Sequence, residues 1–236
     1  MNNYFERSEK LLGKKGMEKL ANSNVLLLGL GGVGGHAAEI LARTGLGNMT
    51  IVDFDDVDVT NLNRQIIALQ STIGKLKVKV MEKRLKDINP DINILKIQEK
   101  ITKDNLDILN LESYDYVADC IDLISAKIAI VLDCQYKKIP LISSMGFGNK
   151  LDPTKIKVSD IYKTNYCSLA RVMRRELKRR GVKELKCVWS DEICIKAVVN
   201  DEFGKRTPAS VGFVPSVAGI VLASEIIKDL VGESNE

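Results

Sequence analysis

Short apolar runs alternate with amphipathic stretches along most of this chain. Residues 25–28 are uninterruptedly apolar and end at Gly29. A run of that length closed by a glycine predicts a strand over 25–29 buried on both faces. From Val33 to Arg43 the apolar positions Val33, Ala37, Ala38, Ile40 and Leu41 fall at helical spacing, with Gly45 and Gly47 ending the helix. The alternation then repeats. Strands are predicted over 49–53, 92–97, 116–120 and 140–143, and helices over 75–88, 105–110 (a short one) and 124–136. Asn89-Pro90 stops the helix at 88. Strands alternating with helices predict an α/β fold, a Rossmann-like, doubly wound and mainly parallel sheet.

The two ends follow other patterns. Residues 5–20 read as a leading helix broken at Gly13. Beyond Ser144 a strand is predicted over 155–159. A helix follows over 168–180, with Leu169, Val172, Met173 and Leu177 inward. Strands at 185–189 and 193–199 read as antiparallel partners, 203–211 as a polar, mobile loop, and 214–230 as a final helix. This divides the chain into an N-terminal helical segment (1–24), a nucleotide-binding domain (25–144), and a C-terminal extension of the same sheet with antiparallel strands (145–236).

Composition narrows the class. The chain has 236 residues, 45% apolar and 28% charged, enough for a proper core. Its formal net charge of +4 is too small to argue for nucleic acid by itself. The five cysteines, Cys120, Cys134, Cys167, Cys187 and Cys194, form no CxxC pair, so neither a disulfide framework nor a four-thiolate zinc site is expected. A reducing, cytoplasmic setting fits best. The polar N-terminus has no signal-peptide pattern. The longest weakly polar run, 211–224, holds Gly212, Pro215 and Gly219 and is too short to span a bilayer, so no membrane is expected.

The candidate chemistry clusters after the first strand. Gly29, Gly31 and Gly34, with Gly32 between, follow a strand and open a helix. There, backbone N–H groups and the helix N-terminus can meet phosphates, although such glycines also serve packing alone. Asp53 lies 22 positions beyond Gly31 at a predicted strand tip, where an acid reaches ribose hydroxyls. Asp55 adds a second acid that a dehydrogenase does not need. Asn61, Arg64, Gln65 and Lys77 supply amides, a guanidinium fork and an ammonium, the groups that spread phosphate charge. Lys77 also reads as part of a solvated helix start. Asp122, just past the fourth strand, suits Mg²⁺ between phosphates or a cap on the helix from Ile124. Arg7 alone reads as a solvated helix charge, and the lone histidine, His36, as structural. Eight cations crowd 171–186. Arg171, Arg174, Arg175 and Lys178 share a helical face, which serves equally as a phosphate-tracking surface or a solvated one.

Taken together, Gly29-Leu30-Gly31-Gly32-Val33-Gly34, Asp53-x-Asp55, Asn61-Leu62-Asn63-Arg64-Gln65, Gly74-x-x-Lys77 and 119–122 resemble the adenylating domain shared by ThiF and MoeB enzymes and ubiquitin-activating enzymes. The resemblance implies a site that binds ATP with Mg²⁺ and joins a substrate carboxylate to AMP. Arg64, Lys77 and Asp122 would be catalytic, Asp122 as the metal ligand and Asp53 as the ribose ligand. Asn61 and Gln65 would support them, and Arg7 would reach into the partner's site of a homodimer. ThiF and MoeB carry two CxxC pairs and this chain has none, which turns it away from activating a sulfur-carrier protein, the alternative reading. Asp122 with Lys127, 138–141, Gly146 and Gly148 followed by 152–164, 187–190 and 213–215 are similar to the TcdA (CsdL) subfamily of tRNA threonylcarbamoyladenosine dehydratases. Tyr166-Cys167-Ser168 departs from that subfamily's pattern. The likeness implies ATP-dependent dehydration, a cyclisation, of the threonylcarbamoyladenosine next to the anticodon in tRNA through adenylation of its carboxylate, with Arg171, Arg174, Arg175 and Lys178 facing the tRNA. It leaves open a monovalent cation and a sulfur acceptor linked to a cysteine desulfurase. An NAD-dependent oxidoreductase would need a hydride-transfer residue and a substrate domain, and neither is legible.

Overall fold

The computed structural model describes residues 3–195 and 208–232. In chain order the elements are α1 (Glu6–Asn22), β1 (Asn24–Leu28), α2 (Gly34–Arg43), β2 (Asn48–Val52), α3 (Lys77–Ile88), β3 (Asn93–Ile97), β4 (Tyr116–Asp119), α4 (Ile124–Lys137), β5 (Leu141–Ser144), β6 (Ile156–Asp160), α5 (Ser168–Arg179), β7 (Lys186–Ser190) and α6 (Phe213–Val231). The short helix expected at 105–110 is a 3₁₀ turn, Leu106–Leu109. The α1 helix is interrupted at Gly13, whose φ of 70° and ψ of 164° are not helical.

One seven-stranded sheet runs in the order β3-β2-β1-β4-β5-β7-β6. All neighbours are parallel except β6 and β7, which pair antiparallel from Ile156↔Ser190 to Asp160↔Lys186. The expected α/β fold is therefore present, with its antiparallel pair formed differently. Residues 193–195 join no strand, and 196–199 lie outside the described residues. Ile195 instead donates its N–H to the Asn149 carbonyl (2.8 Å), so tertiary contact with a turn takes the pairing that the apolar pattern suggests for a strand. Of the expected loop at 203–211, residues 203–207 lie outside the described residues and 208–211 form an irregular segment.

The central strand explains the two-sided core. Val25 and Leu27 of β1 face α2, α3 and α6, where Leu41, Met81, Leu222 and Ile226 are fully buried. Leu26 and Leu28 face the opposite side, toward Ala126, Ile130 and Cys134 of α4. A third apolar cluster joins α4 to α5 through Val131, Met173, Leu177 and Trp189. The α6 helix crosses α2 so closely that a Cβ on Gly219 would sit 2.2 Å from the Val33 carbonyl oxygen, so only glycine fits there. In register, Leu28 of β1 stands opposite Val52 of β2 on one side and Asp119 of β4 on the other. The crossover from β1 through α2 runs to β2 on one side and that from β4 through α4 runs to β5 on the other, which opens a crevice between the carboxyl ends of β1 and β4, the usual ligand position of such sheets.

Candidate functional site

The glycine loop after β1 sorts into glycines that the fold requires and one that it does not. Gly29 has φ of 89°, and a Cβ there would lie 2.9 Å from the Cys120 carbonyl oxygen. A Cβ on Gly34 would lie 1.9 Å from the Gly29 carbonyl oxygen. Both are needed for the turn itself. Gly32 sits 3.2 Å (ideal Cβ) from Pro215 of α6 and 3.5 Å from Cγ of Arg64. A Cβ on Gly31 meets nothing within 4 Å, so open space lies beside its backbone. His36, one turn into α2, donates from Nδ1 to the Gly32 carbonyl (2.9 Å) and steadies the loop.

At the tip of β2, buried Asp53 accepts from the Leu30 N–H at Oδ2 (2.6 Å) and from the Asp55 N–H at Oδ1 (2.9 Å). It ties the glycine loop to the strand tip, and each oxygen keeps a lone pair for a further donor. Lys77 is buried rather than solvated. Its Nζ lies 2.9 Å from Oδ2 of Asp55, and its N–H donates to the Asp55 carbonyl (3.0 Å). Closure of the 55–77 segment thus brings the ammonium at the start of α3 to the β2 tip.

The polar cluster between them is built on Asn61. Its buried Oδ1 accepts from the Asp58 N–H (3.1 Å), and its carbonyl accepts from the N–H groups of Arg64 and Gln65. Arg64 is half-buried. Its Nη1 donates to the Thr60 carbonyl (2.8 Å) and to Oδ1 of Asn63 (2.9 Å), and it meets no carboxylate among the described residues. Gln65 is buried, and its Oε1 has no hydrogen-bond partner among the described residues. A guanidinium without a carboxylate partner and the open space at Gly31 suit the phosphates of a ligand, and the orphan acceptor of Gln65 suits one of its N–H or O–H donors.

On the other side of the crevice, Asp122 is exposed. It does not cap α4, whose N-cap position is Leu123 with no side-chain hydrogen bond. Beneath it lies a fully buried cluster that pattern reading passes over as separate residues. Lys127 Nζ is 2.8 Å from Asp119 Oδ2, with both side chains 0% exposed. Ser143 donates to the same oxygen (2.6 Å), and Lys127 also donates to the Ile121 carbonyl (3.1 Å). This cluster sets the course of the 120–122 turn. Its sequence signal is a lysine on the otherwise apolar face of α4, beside Ala126, Ile128 and Ile130. Burial, helped by the Asp119 carboxylate, pushes the Cys120 thiol up to about 12. It stays protonated at neutral pH and offers no thiolate. Burial likewise holds Cys134 and Cys187 at about 12.

Two predicted groups lie elsewhere. Arg7 is exposed on α1, two residues from Phe5. Phe5 packs beside Gly45 in the α2–β2 connection, at the opposite edge of the sheet. The α5 helix exposes Arg171, Arg175 and Lys178. Arg174 is half-buried and bonds the Thr164 carbonyl (2.8 Å) and the Thr164 hydroxyl, so it braces the turn before α5.

The model of the ThiF family matches residues 5–236. A Bacillus subtilis protein described as tRNA threonylcarbamoyladenosine dehydratase is 43% identical over 238 residues, which span 96% of this chain and 94% of the relative. The crystal structure of Escherichia coli tRNA N6-threonylcarbamoyladenosine dehydratase in complex with AMP matches with a TM-score of 0.89 at 34% identity, covering 96% of this chain and 93% of that one. The same enzyme in complex with ATP matches with a TM-score of 0.88 at 35% identity, with the same coverage.

Proposed function

From the premise that this chain belongs to the ThiF family, we propose that it catalyses the ATP-dependent dehydration of threonylcarbamoyladenosine in tRNA. The observation that carries this reading is Arg64, a half-buried guanidinium beside the glycine loop with no carboxylate partner among the described residues. It is free to take the charge of a phosphate chain, and the likeness to an ATP-bound enzyme over nearly the whole chain supports the same use.

In this reading ATP lies across the carboxyl ends of β1 and β4. Its phosphates approach the backbone at Gly31, and Asp53 holds the ribose. The threonyl carboxylate of the modified nucleoside attacks the α-phosphorus, and the bond to pyrophosphate breaks. Arg64 and Lys77 take up the charge that builds on the phosphate oxygens. Lys77 is already seated against Asp55, so its position is set before the ligand arrives. The carbamoyl group of the same nucleoside then attacks the acyl carbon, AMP leaves with the carboxylate oxygen, and a ring closes. The second nucleophile is part of the substrate, so no thiolate is required. Protonated Cys120 at the site accords with that.

Magnesium fits this donor set as an ion shared with phosphate. Asp122 offers one exposed carboxylate, and no cluster of three or more His, Cys, Asp or Glu gathers among the described residues. Phosphate oxygens and water would complete its shell, and the ion would neutralise phosphate charge. Arg7, turned away from its own glycine loop, would serve the second site of a homodimer. No helix among the described residues is long and apolar enough to cross a membrane, which suits a cytoplasmic enzyme meeting tRNA.

Nucleoside mass spectrometry of tRNA incubated with ATP and this protein tests the reading. Threonylcarbamoyladenosine should lose the mass of one water. An unchanged nucleoside, together with pyrophosphate exchange driven by a ubiquitin-like sulfur carrier, would assign the site to carrier activation instead. The exposed face of α5 gives a second expected result. Charge reversal at Arg171 and Arg175 should weaken tRNA binding and flatten its dependence on salt by about 1 in log–log slope for each phosphate left unneutralised. The KM for ATP should not move, because neither residue borders the glycine loop. Fluorescence anisotropy across a salt series measures it.

A further inference from the structure

The turn before α5 presents an aromatic ring under constraint. Tyr166 has φ of 49°, the left-handed region that a ring-bearing residue seldom occupies. The residue is 57% exposed. The turn around it is held from three directions. Arg174 grips both the carbonyl and the hydroxyl of buried Thr164. Cys167 donates its thiol to the Gly146 carbonyl (3.7 Å) and accepts from the Ala170 N–H (3.4 Å). Cys194 donates its thiol to the Tyr166 carbonyl (3.3 Å).

Its placement is specific. Gly146 stands two residues beyond the carboxyl end of β5, so Cys167 and Tyr166 are anchored at the sheet edge that also carries the glycine loop and Asp122. From Tyr166 the chain enters α5, whose exposed cations Arg171, Arg175 and Lys178 lie along one face. An aromatic platform therefore stands between the nucleotide edge and a row of cations. A row of cations with an adjoining exposed ring is the chemistry of a nucleic-acid loop, phosphates on the cations and an unstacked base on the ring.

We propose that Tyr166 is a substrate-positioning residue, a stacking platform for a base of the tRNA anticodon loop next to the one that enters the active site. The proposal rests on the tRNA reading above. It explains why Arg174 is turned inward to brace Thr164 while its neighbours on α5 stay in solvent.

The test compares Tyr166→Asn and Tyr166→Phe with the parent protein. Asparagine tolerates the left-handed backbone, so it removes the ring and spares the turn. Affinity for a fluorescent anticodon stem-loop should fall about 5- to 150-fold for Tyr166→Asn, the range for losing one base–aromatic stack. Tyr166→Phe should bind like the parent, and the KM for ATP should be the same in all three. Parent-like RNA binding by Tyr166→Asn would overturn the proposal. So would equal loss in Tyr166→Phe, which would point to the hydroxyl, or a parallel rise in the KM for ATP, which would point to a structural role. The parent protein's water loss on threonylcarbamoyladenosine is measured alongside. If that fails while stem-loop affinity still depends on the ring, the reaction reading falls and the platform stands.

Discussion

Arg64→Ala is expected to lower kcat/KM for tRNA dehydration by about 10²- to 10³-fold, the usual cost of removing one charge-stabilising donor from a transition state. The fold should survive, because among the described residues the guanidinium bonds only the Thr60 carbonyl and the Asn63 side chain, both of which water can satisfy. The melting temperature should therefore stay close to that of the parent. Arg64→Lys should recover only part of the rate, since an ammonium replaces a two-pronged fork with a point charge. Pyrophosphate exchange separates the steps. If Arg64 acts on the phosphates, exchange falls together with dehydration. Unchanged turnover in Arg64→Ala would instead show that Arg64 takes no part in stabilising the reacting phosphates.

Lys127→Ala carries the larger structural cost. It leaves the Asp119 carboxylate fully buried, with Ser143 and the Ile121 N–H as its remaining partners. Breaking a buried pair from one side costs about 3–5 kcal/mol, a large share of the roughly 5–15 kcal/mol that hold a domain together. In a chain of this size that lowers the melting temperature by about 6–20 °C. The double variant Asp119→Asn with Lys127→Met should regain much of the loss, because the penalty comes from the unpaired charge rather than from the missing attraction. The 120–122 turn also loses the bond from Lys127 to the Ile121 carbonyl, so ATP-dependent exchange should weaken even below the melting range. Differential scanning calorimetry and exchange assays on both variants measure these effects. A Lys127→Ala protein as stable as the parent would show that the Asp119 carboxyl tolerates burial without the lysine.

Much of the architecture was legible because β1 and its neighbours are buried on both faces, and continuous apolar runs need no partner to be recognised. The glycine loop was legible as a turn but not by role. Only the packing separates Gly29 and Gly34, which backbone contacts demand, from Gly31, which faces open space. Lys77 shows the limit most clearly. In a lysine-rich stretch it reads as solvated as easily as functional, and its burial against Asp55 comes from closure of a chain separation of 22 positions. Arg174 shows the converse. On a helical wheel it belongs with Arg171 and Arg175, yet a turn ten positions upstream claims its guanidinium.

By itself, the order of apolar runs, glycines and amphipathic stretches determined the α/β class, the strands of the parallel core and the residues grouped at their carboxyl ends. These are local properties, written in spacing and periodicity. Only the tertiary structure decided that β7 pairs with β6, that Asp119 and Lys127 meet out of water, and that Tyr166 is held in the open. Each of these depends on where distant segments come to lie, and a buried charge or a strained backbone is stable only when such neighbours close around it.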